Sequence, residues 1–191
     1  VLYLAHLSHA PAKLTRTSHT AWTLADIDFT DGPYLDENIT DTTLYSSANT
    51  GSVTVTASAS LFASTDVGRL IRFREILEID HDEWATATSY TANTTVRFNG
   101  NVYKQTTGNT QTSGATPPVH LDGEETYGTV KWTYQHSGTG YVKITAYTNA
   151  TTVTALVKND TGFLPDRAVG SSNVTKLWSL GSFSTTTGFP R

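Results

Sequence analysis

The chain has 191 residues, a formal net charge of −4 and a charged fraction of 16%. Because ordinary soluble proteins are roughly 25% charged and nucleic-acid-binding domains carry basic patches, this composition argues against nucleic-acid recognition. No apolar run approaches the roughly 20 residues of a membrane-spanning helix, so we expect no membrane insertion. The absence of cysteine excludes disulfides and thiolate metal sites.

The length suits one domain, or one domain that carries an insertion. The chain begins with Val1 and contains no methionine, although a translation product starts with methionine. We therefore expect the chain to be a piece of a longer protein, and we expect surfaces that the rest of that protein covers to be exposed here.

Strand-like patterns dominate the first part of the chain. Residues 1–7 are rich in Val, Leu and Tyr and predict a buried strand, which residues 9–11 end with a proline. Residues 12–22 and 24–34 also place apolar side chains at strand-compatible positions, and the second of these segments closes on an Asp-Gly-Pro turn. Residues 35–50 show little periodicity and predict a connecting loop.

The same signals continue toward the C-terminus. Residues 61–70 predict a short helical turn that Ser64 or Thr65 caps and Gly68 ends. No segment keeps a helical period, and turn signals recur about every 8–12 residues, as in β-sandwiches and barrels. We therefore predict an all-β protein with few short helical turns. Further strand patterns lie at residues 51–57, 70–79, 141–147, 151–157 and 174–180.

The strand patterns predict an insertion. The segments before and after residues 80–137 look like two halves of one β unit, and a hairpin joins the strands of the second half. We predict a discontinuous host domain, residues 1–79 plus 138–191, with a sandwich-like or barrel-like fold. A small β module, residues 80–137, is inserted in it. Asn99-Gly100 predicts the tip of a hairpin within this insert.

The sequence nominates no active site. It contains no GxSxG, P-loop or GxGxxG motif and no evident nucleophile with a base, so we expect no enzyme, no catalytic residue and no cofactor. A polysaccharide hydrolase would need paired carboxylates across a cleft, and Asp26 and Asp28 fit better as the solvated side of a strand. Residues 80–83, DHDE, could surround a cation, but no second histidine has a zinc-site spacing from His81. We interpret them as a polar turn and predict no metal site.

The insert is rich in aromatic residues, for which two interpretations stay open. A planar ring can stack on the apolar face of a sugar, so these residues could form a carbohydrate-binding site. A module of this size also needs its aromatic side chains as a core, and we favour the core for the two tryptophans. The candidate residues are Trp84, Tyr90, Tyr103, Trp132 and Tyr134.

The order of aromatic and turn residues in the insert resembles the small chitin- and cellulose-binding modules attached to chitinases. The residues that carry this resemblance are Trp84, Tyr90, Val96, Asn99-Gly100, Tyr103, Gly114, Pro117 and Trp132. In sugar-binding members of that family, exposed aromatics after the second tyrosine form the binding platform. The corresponding segment here, residues 104–118, has none. Modules of this look also decorate bacteriophage structural proteins.

The host domain resembles the tail tubular (nozzle) proteins of short-tailed bacteriophages and related prophages. The segments that carry this resemblance, in the same order along the chain, are residues 2–34, 59–73, 140–157 and 175–191. It implies a non-enzymatic virion protein of the phage tail. Six copies would form a ring around the tail channel and contact neighbouring tail proteins. The alternative function is a carbohydrate-binding module that recognises a cell-surface glycan of the host through the aromatic insert.

Overall fold

The computed structural model describes residues 1–6, 9–159 and 162–184. In these residues the chain is all-β, as predicted, with 16 strands in four sheets, one short helix and two 3-10 turns. No helix in this described part of the chain is long and apolar enough to span a membrane.

The N-terminal sheet is an antiparallel meander in the order β1 (Leu2–His6), β2 (His9–Arg16) and β3 (Trp22–Asp26). The prediction of a buried first strand is wrong, because every residue of β1 is exposed. The predicted break at residues 9–11 is wrong as well. Pro11 lies inside β2, beside the irregularity that shifts the register between Leu4 and His6, and such bulges tolerate a proline in a strand.

The segment that follows holds the first strands of a second sheet: β4 (Leu44–Ser46), β5 (Ser52–Ala57) and β6 (Leu70–Arg74). The predicted helical turn is a 3-10 turn, Ser64–Asp66. The Asp66 carboxylate caps it by accepting the Ala63 N–H at 2.8 Å, so the predicted cap by Ser64 or Thr65 is wrong. The strand predicted over residues 70–79 ends at Arg74, and the helix α1 (Leu77–Asp80) follows it.

The insert forms two small sheets. Its strands are β7 (Asp82–Glu83), β8 (Ser89–Tyr90), β9 (Thr95–Phe98), β10 (Asn101–Gln105), β11 (Gln111–Thr112), β12 (Glu124–Tyr127) and β13 (Val130–His136). Five of them pair in the order β12-β13-β10-β9-β7, and β8 pairs with β11. The predicted hairpin tip is confirmed, since Asn99 and Gly100 join β9 to β10 with positive φ angles of 51° and 78°.

After the insert the chain returns to the second sheet with β14 (Thr139–Asn149), β15 (Thr152–Val157) and β16 (Trp178–Leu180). This sheet, the host sheet, has the order β16-β6-β14-β15-β5-β4 and is antiparallel between all neighbouring strands. The predicted hairpin is present as β14 and β15. The chain leaves the host sheet after Arg74 and rejoins it at the directly opposite residue, Thr139.

The two parts of the chain have separate hydrophobic cores. The core of the host sheet contains Phe73, Ile144 and Trp178 among its buried residues, and a second core fills the insert around Trp132 and Tyr103. In the described residues, no strand of the insert pairs with a strand of the host sheet. The strand pairing therefore divides close to the predicted boundaries, and independent folding of the two parts stays a prediction.

We expect the host sheet to fold without the insert. Replacing residues 75–138 by Asn-Gly would turn β6 and β14 into an ordinary hairpin, because Arg74 and Thr139 are direct cross-strand partners. The replacement also removes Glu75, so no buried carboxylate loses its partners. A single cooperative melting transition, followed by circular dichroism, is the expected result. A variant without such a transition would contradict this prediction.

Candidate functional site

The five aromatic residues considered for carbohydrate binding lie together in the insert. Four of them are buried, with exposed fractions of 7% for Tyr90, 0% for Tyr103, 1% for Trp132 and 7% for Tyr134. Trp84 is half-buried and packs against this core. These side chains therefore contribute to the folding of the insert.

The rings meet edge to face. Tyr90 and Trp132 have centroids 5.2 Å apart and planes 76° apart, and Tyr103 and Tyr134 have values of 6.0 Å and 71°. Trp84 meets Phe98 in the same way. This geometry is favourable for packing but leaves no coplanar exposed pair among the five candidate rings. Carbohydrate binding by the insert stays a prediction, and these five residues do not supply a stacking platform for it.

Truncating the central tryptophan should destabilise the insert. We expect Trp132→Ala to lower the free energy of unfolding by about 3–5 kcal/mol, because it removes a buried ring and leaves a cavity. Leu121→Ala is the control, since Leu121 is 60% exposed and its change should stay within about 0.5 kcal/mol. Urea denaturation followed by circular dichroism measures both. Equal effects of the two substitutions would show that Trp132 has no core role.

Burial raises the pKa of Tyr103 to about 12, and its hydroxyl donates to the His120 carbonyl at 3.0 Å. An unfolded chain loses its tyrosine protons near pH 10. Between about pH 10 and 12 the folded chain keeps a proton that the unfolded chain releases, so stability falls as the pH rises through this window.

We expect Tyr103→Phe to lose less stability than the wild type between about pH 10 and 12, because phenylalanine has no proton to release. Denaturation midpoints across this range measure the difference. Tyr147→Phe is the control, since Tyr147 is 38% exposed. If the wild type and Tyr103→Phe lose stability in parallel, the assignment to Tyr103 is incorrect.

A second group of functional side chains lies where the insert joins the host sheet. Glu75 follows β6, His81 follows α1, and His136 ends β13. The Glu75 Oε1 atom lies 2.7 Å from His81 Nε2 and 3.4 Å from His136 Nε2. The three side chains are at most 5% exposed. We call this group the junction cluster.

Local backbone contacts position the junction cluster. The Glu75 N–H donates to the Gly138 carbonyl at 3.0 Å, which extends the pairing of β6 and β14 by one step. The His81 N–H then donates to the Leu77 carbonyl and ends α1. Gly138 has a φ of +82°, and the Leu77 side chain packs against it. The turn of α1 thus brings His81 back toward the carboxylate.

The junction cluster corrects our interpretation of residues 80–83 as a polar turn. His81 as a whole residue is only 8% exposed. The Asp80 side chain is 12% exposed and accepts a hydrogen bond from Arg167 Nε at 2.7 Å. Asp82 and Glu83 are exposed in β7. Spacing along the chain does not reveal Glu75 and His136 as partners of His81, because His136 lies at the far end of the insert.

Hydrogen bonds orient the His136 ring. The Gly138 N–H donates to His136 Nδ1 at 3.2 Å, so a neutral His136 ring carries its proton on Nε2, facing Glu75. Burial lowers the pKa of His136, which the Glu75 carboxylate partly opposes. Glu75 Oε2 is buried and has no hydrogen-bond partner. The carboxylate is therefore only half satisfied, which is costly in a buried site.

The arrangement permits two kinds of chemistry. The Thr95 hydroxyl lies 3.0 Å from His81 Nδ1, so Thr95, His81 and Glu75 form a chain of hydroxyl, imidazole and carboxylate. A catalytic triad uses that order, but here His136 lies against the same carboxylate oxygen.

Two imidazoles that converge on one carboxylate also match the ligands of a divalent transition metal. No other group of three such ligands occurs in the part of the chain that the structure describes.

The insert thus directs its aromatic side chains into a core, and the junction brings a carboxylate and two imidazoles together. Neither feature alone assigns an activity to the chain. A scan against protein-family models and a search of curated proteins each find no match.

Proposed function

We propose that this chain is a structural, non-enzymatic component of a bacteriophage tail. Copies of the chain associate into a ring around the tail channel and contact neighbouring tail proteins in the virion. The resemblance of the host segments to tail nozzle proteins suggests this role. The observation that carries the proposal is an exposed apolar face on the N-terminal sheet, which fits a subunit of a larger assembly.

This face, the leucine face, follows from the register of the three strands. Leu14 in the central strand lies directly opposite Leu2 on one side and Leu24 on the other. Leu4 and Trp22 alternate onto the same face, because every second residue of a strand points the same way. Leu2, Trp22 and Leu24 are 55%, 57% and 63% exposed.

The two faces of the N-terminal sheet differ in chemistry. The face opposite the leucines carries Lys13, Thr15 and Thr23 beside Tyr3 and Ala25, so it is the more polar of the two. A contiguous apolar face in water is rare in monomeric proteins and marks a surface that another protein covers. Fully burying one leucine or larger apolar side chain contributes about 1.5–3 kcal/mol, so covering this row would favour association by several kcal/mol.

Specific contacts anchor the segment that follows the N-terminal sheet to the rest of the host domain. Asp28, just beyond β3, accepts hydrogen bonds from Lys143 at 2.6 Å and from Lys158 at 3.4 Å. The hydrogen bond from Lys143 is the main reason that the pKa of Asp28 lies below its usual value. Phe29 stacks on Phe183 with a centroid distance of 5.3 Å. The chain is therefore anchored to the host sheet directly after the strand that ends the leucine face.

We assign the leucine face to a neighbouring copy of the same chain. Strands β1 and β3 are the edges of their sheet, and the described residues place no strand beside either edge. Open edges next to an apolar face favour contact with another β-sheet, and a subunit of a homomeric ring has an identical neighbour within reach. One copy would then cover the leucine face of the next.

A lysine on the leucine face should weaken self-association. We expect the wild type to form oligomers whose mass rises with concentration and Leu24→Lys to associate at least about 10-fold more weakly, because a buried ammonium opposes association. Thr23→Lys is a matched control, since it adds the same charge to the next residue on the opposite face. Sedimentation velocity over a concentration series measures the association.

Electron microscopy of the wild-type oligomer tests the ring. Closed rings of six copies around a channel are the expected particles. A wild-type chain that stays monomeric, a dimer that does not extend, or equal weakening by Leu24→Lys and Thr23→Lys would overturn the proposal.

A further inference from the structure

We propose that Glu75, His81 and His136 bind one divalent transition metal ion, with Zn²⁺ as the ion that their chemistry suits best. The site lies at the junction between the host sheet and the insert. This inference does not depend on the proposed tail function, because its ligands and its test are independent of the leucine face.

The ligand set selects the type of metal. Two imidazole nitrogens and one carboxylate oxygen match the three-ligand sites in which zinc keeps a fourth position for water. Calcium and magnesium prefer oxygen ligands throughout, which this cluster does not offer. The donor atoms of the three residues all lie within 4.8 Å of one another.

The ligand atoms are close together but must shift to surround an ion. Zinc bonds of about 2.0–2.1 Å place tetrahedral ligand atoms roughly 3.3–3.4 Å apart. Glu75 Oε1 and His136 Nε2 already lie at 3.4 Å. Glu75 Oε1 and His81 Nε2 lie at 2.7 Å, so this pair would open by about 0.6–0.7 Å around an ion of that bond length. The two imidazole nitrogens lie within 4.8 Å of each other and would adjust to the same tetrahedral spacing.

The unpaired oxygen of Glu75 is a second, independent observation. The Glu75 side chain is completely buried, and its Oε2 atom has no hydrogen-bond partner. A buried carboxylate oxygen without a partner is unfavourable, so the folded protein gains when a cation approaches. A metal ion bound beside Oε1 would neutralise the carboxylate and draw Oε2 into its coordination sphere or onto a bound water.

The surroundings of the two histidines differ. The Thr95 hydroxyl at 3.0 Å from His81 Nδ1 can accept the Nδ1–H that a ring bound through Nε2 carries. His136 instead accepts the Gly138 N–H at Nδ1, so binding through Nε2 moves the ring proton and breaks this contact. One neutral hydrogen bond is weak compared with the binding of zinc by imidazole. Gly138 is also a positive-φ glycine whose peptide can turn.

The site has room for a fourth ligand. A polar cavity of about 230 Å³ borders Glu75 and His81 and is also lined by Asp80 and Asp166. A cavity of this size holds water, which can complete a tetrahedral site. The bound ion would join the end of a host strand, the helix that leads into the insert and the last strand of the insert. It would therefore fix the orientation of the insert on the host sheet.

Zinc binding to the whole chain tests this inference. The purified protein is stripped with a chelator, dialysed against Zn²⁺, and its metal content is measured by mass spectrometry. We expect one Zn²⁺ per chain and a higher melting temperature in Zn²⁺. The stripped protein loaded with Co²⁺ should show the intense visible absorption of a tetrahedral site. A wild-type chain that neither retains stoichiometric Zn²⁺ nor gives this spectrum would overturn the proposal.

Variants locate the ion. Glu75→Gln keeps the shape of the side chain but removes the charge. Removing a hydrogen-bond partner of a metal ligand typically weakens metal binding by about 10- to 100-fold, and we expect Glu75→Gln to weaken Zn²⁺ binding by more than this. Thr95→Val removes such a partner, so we expect it to weaken Zn²⁺ binding by about 10- to 100-fold. Both variants must melt cooperatively in chelator, so that lost binding is distinguished from lost folding. If neither melts cooperatively, the Co²⁺ spectrum and Zn²⁺ content of the wild type decide the question.

The control is the double variant His6→Ala/His9→Ala. The His6 and His9 rings lie 5.1 Å apart on the N-terminal sheet and form a competing pair of zinc ligands. We expect this double variant to bind Zn²⁺ as the wild type does. If it loses the ion while Glu75→Gln retains it, the metal belongs to the N-terminal sheet and the assignment to the junction cluster is wrong.

Discussion

The antiparallel pairing of β6 with β14 is the contact on which the organisation of this protein depends. The two strands are neighbours inside the host sheet, yet the whole insert separates them along the chain. The entropy of closing such a loop grows slowly with its length, and the insert has a core of its own that offsets part of the cost. Because Arg74 and Thr139 face each other, the insert enters and leaves at one point, and the host ladder stays regular.

The same pairing creates the junction cluster. Glu75 is the first residue after β6, and His136 is the last residue of β13. The pairing of β6 with β14 brings these two residues side by side. Burying a carboxylate there is unfavourable unless it is paired, and two imidazoles and an unpaired oxygen make the site suitable for a cation. Asp80 and Arg167 add an ion pair between α1 and the host domain. The junction is therefore held by polar contacts, whereas each part is held by its own apolar core.

The proposed assembly and the buried rings of the insert fit together. Four of the five aromatic side chains considered for sugar binding are buried in the core of the insert, so these rings are not exposed for stacking. The leucine face of the N-terminal sheet, in contrast, is a large exposed apolar surface. Ion pairs of Asp28 with Lys143 and Lys158 anchor the chain just after that sheet. These features suit a subunit whose neighbours cover its apolar surface.

The sequence by itself determined the all-β fold, the strand over residues 52–57, the β14–β15 hairpin and the Asn99-Gly100 turn, since alternation and turn chemistry act between near neighbours. Only the tertiary structure decided what covers each apolar segment. Residues 1–7 have the composition of a buried strand, but burial depends on what packs against a strand, and β1 is exposed. The junction cluster was likewise beyond local reasoning. Its three residues meet because β6 pairs with β14, and that pairing joins positions that the whole insert separates in the chain.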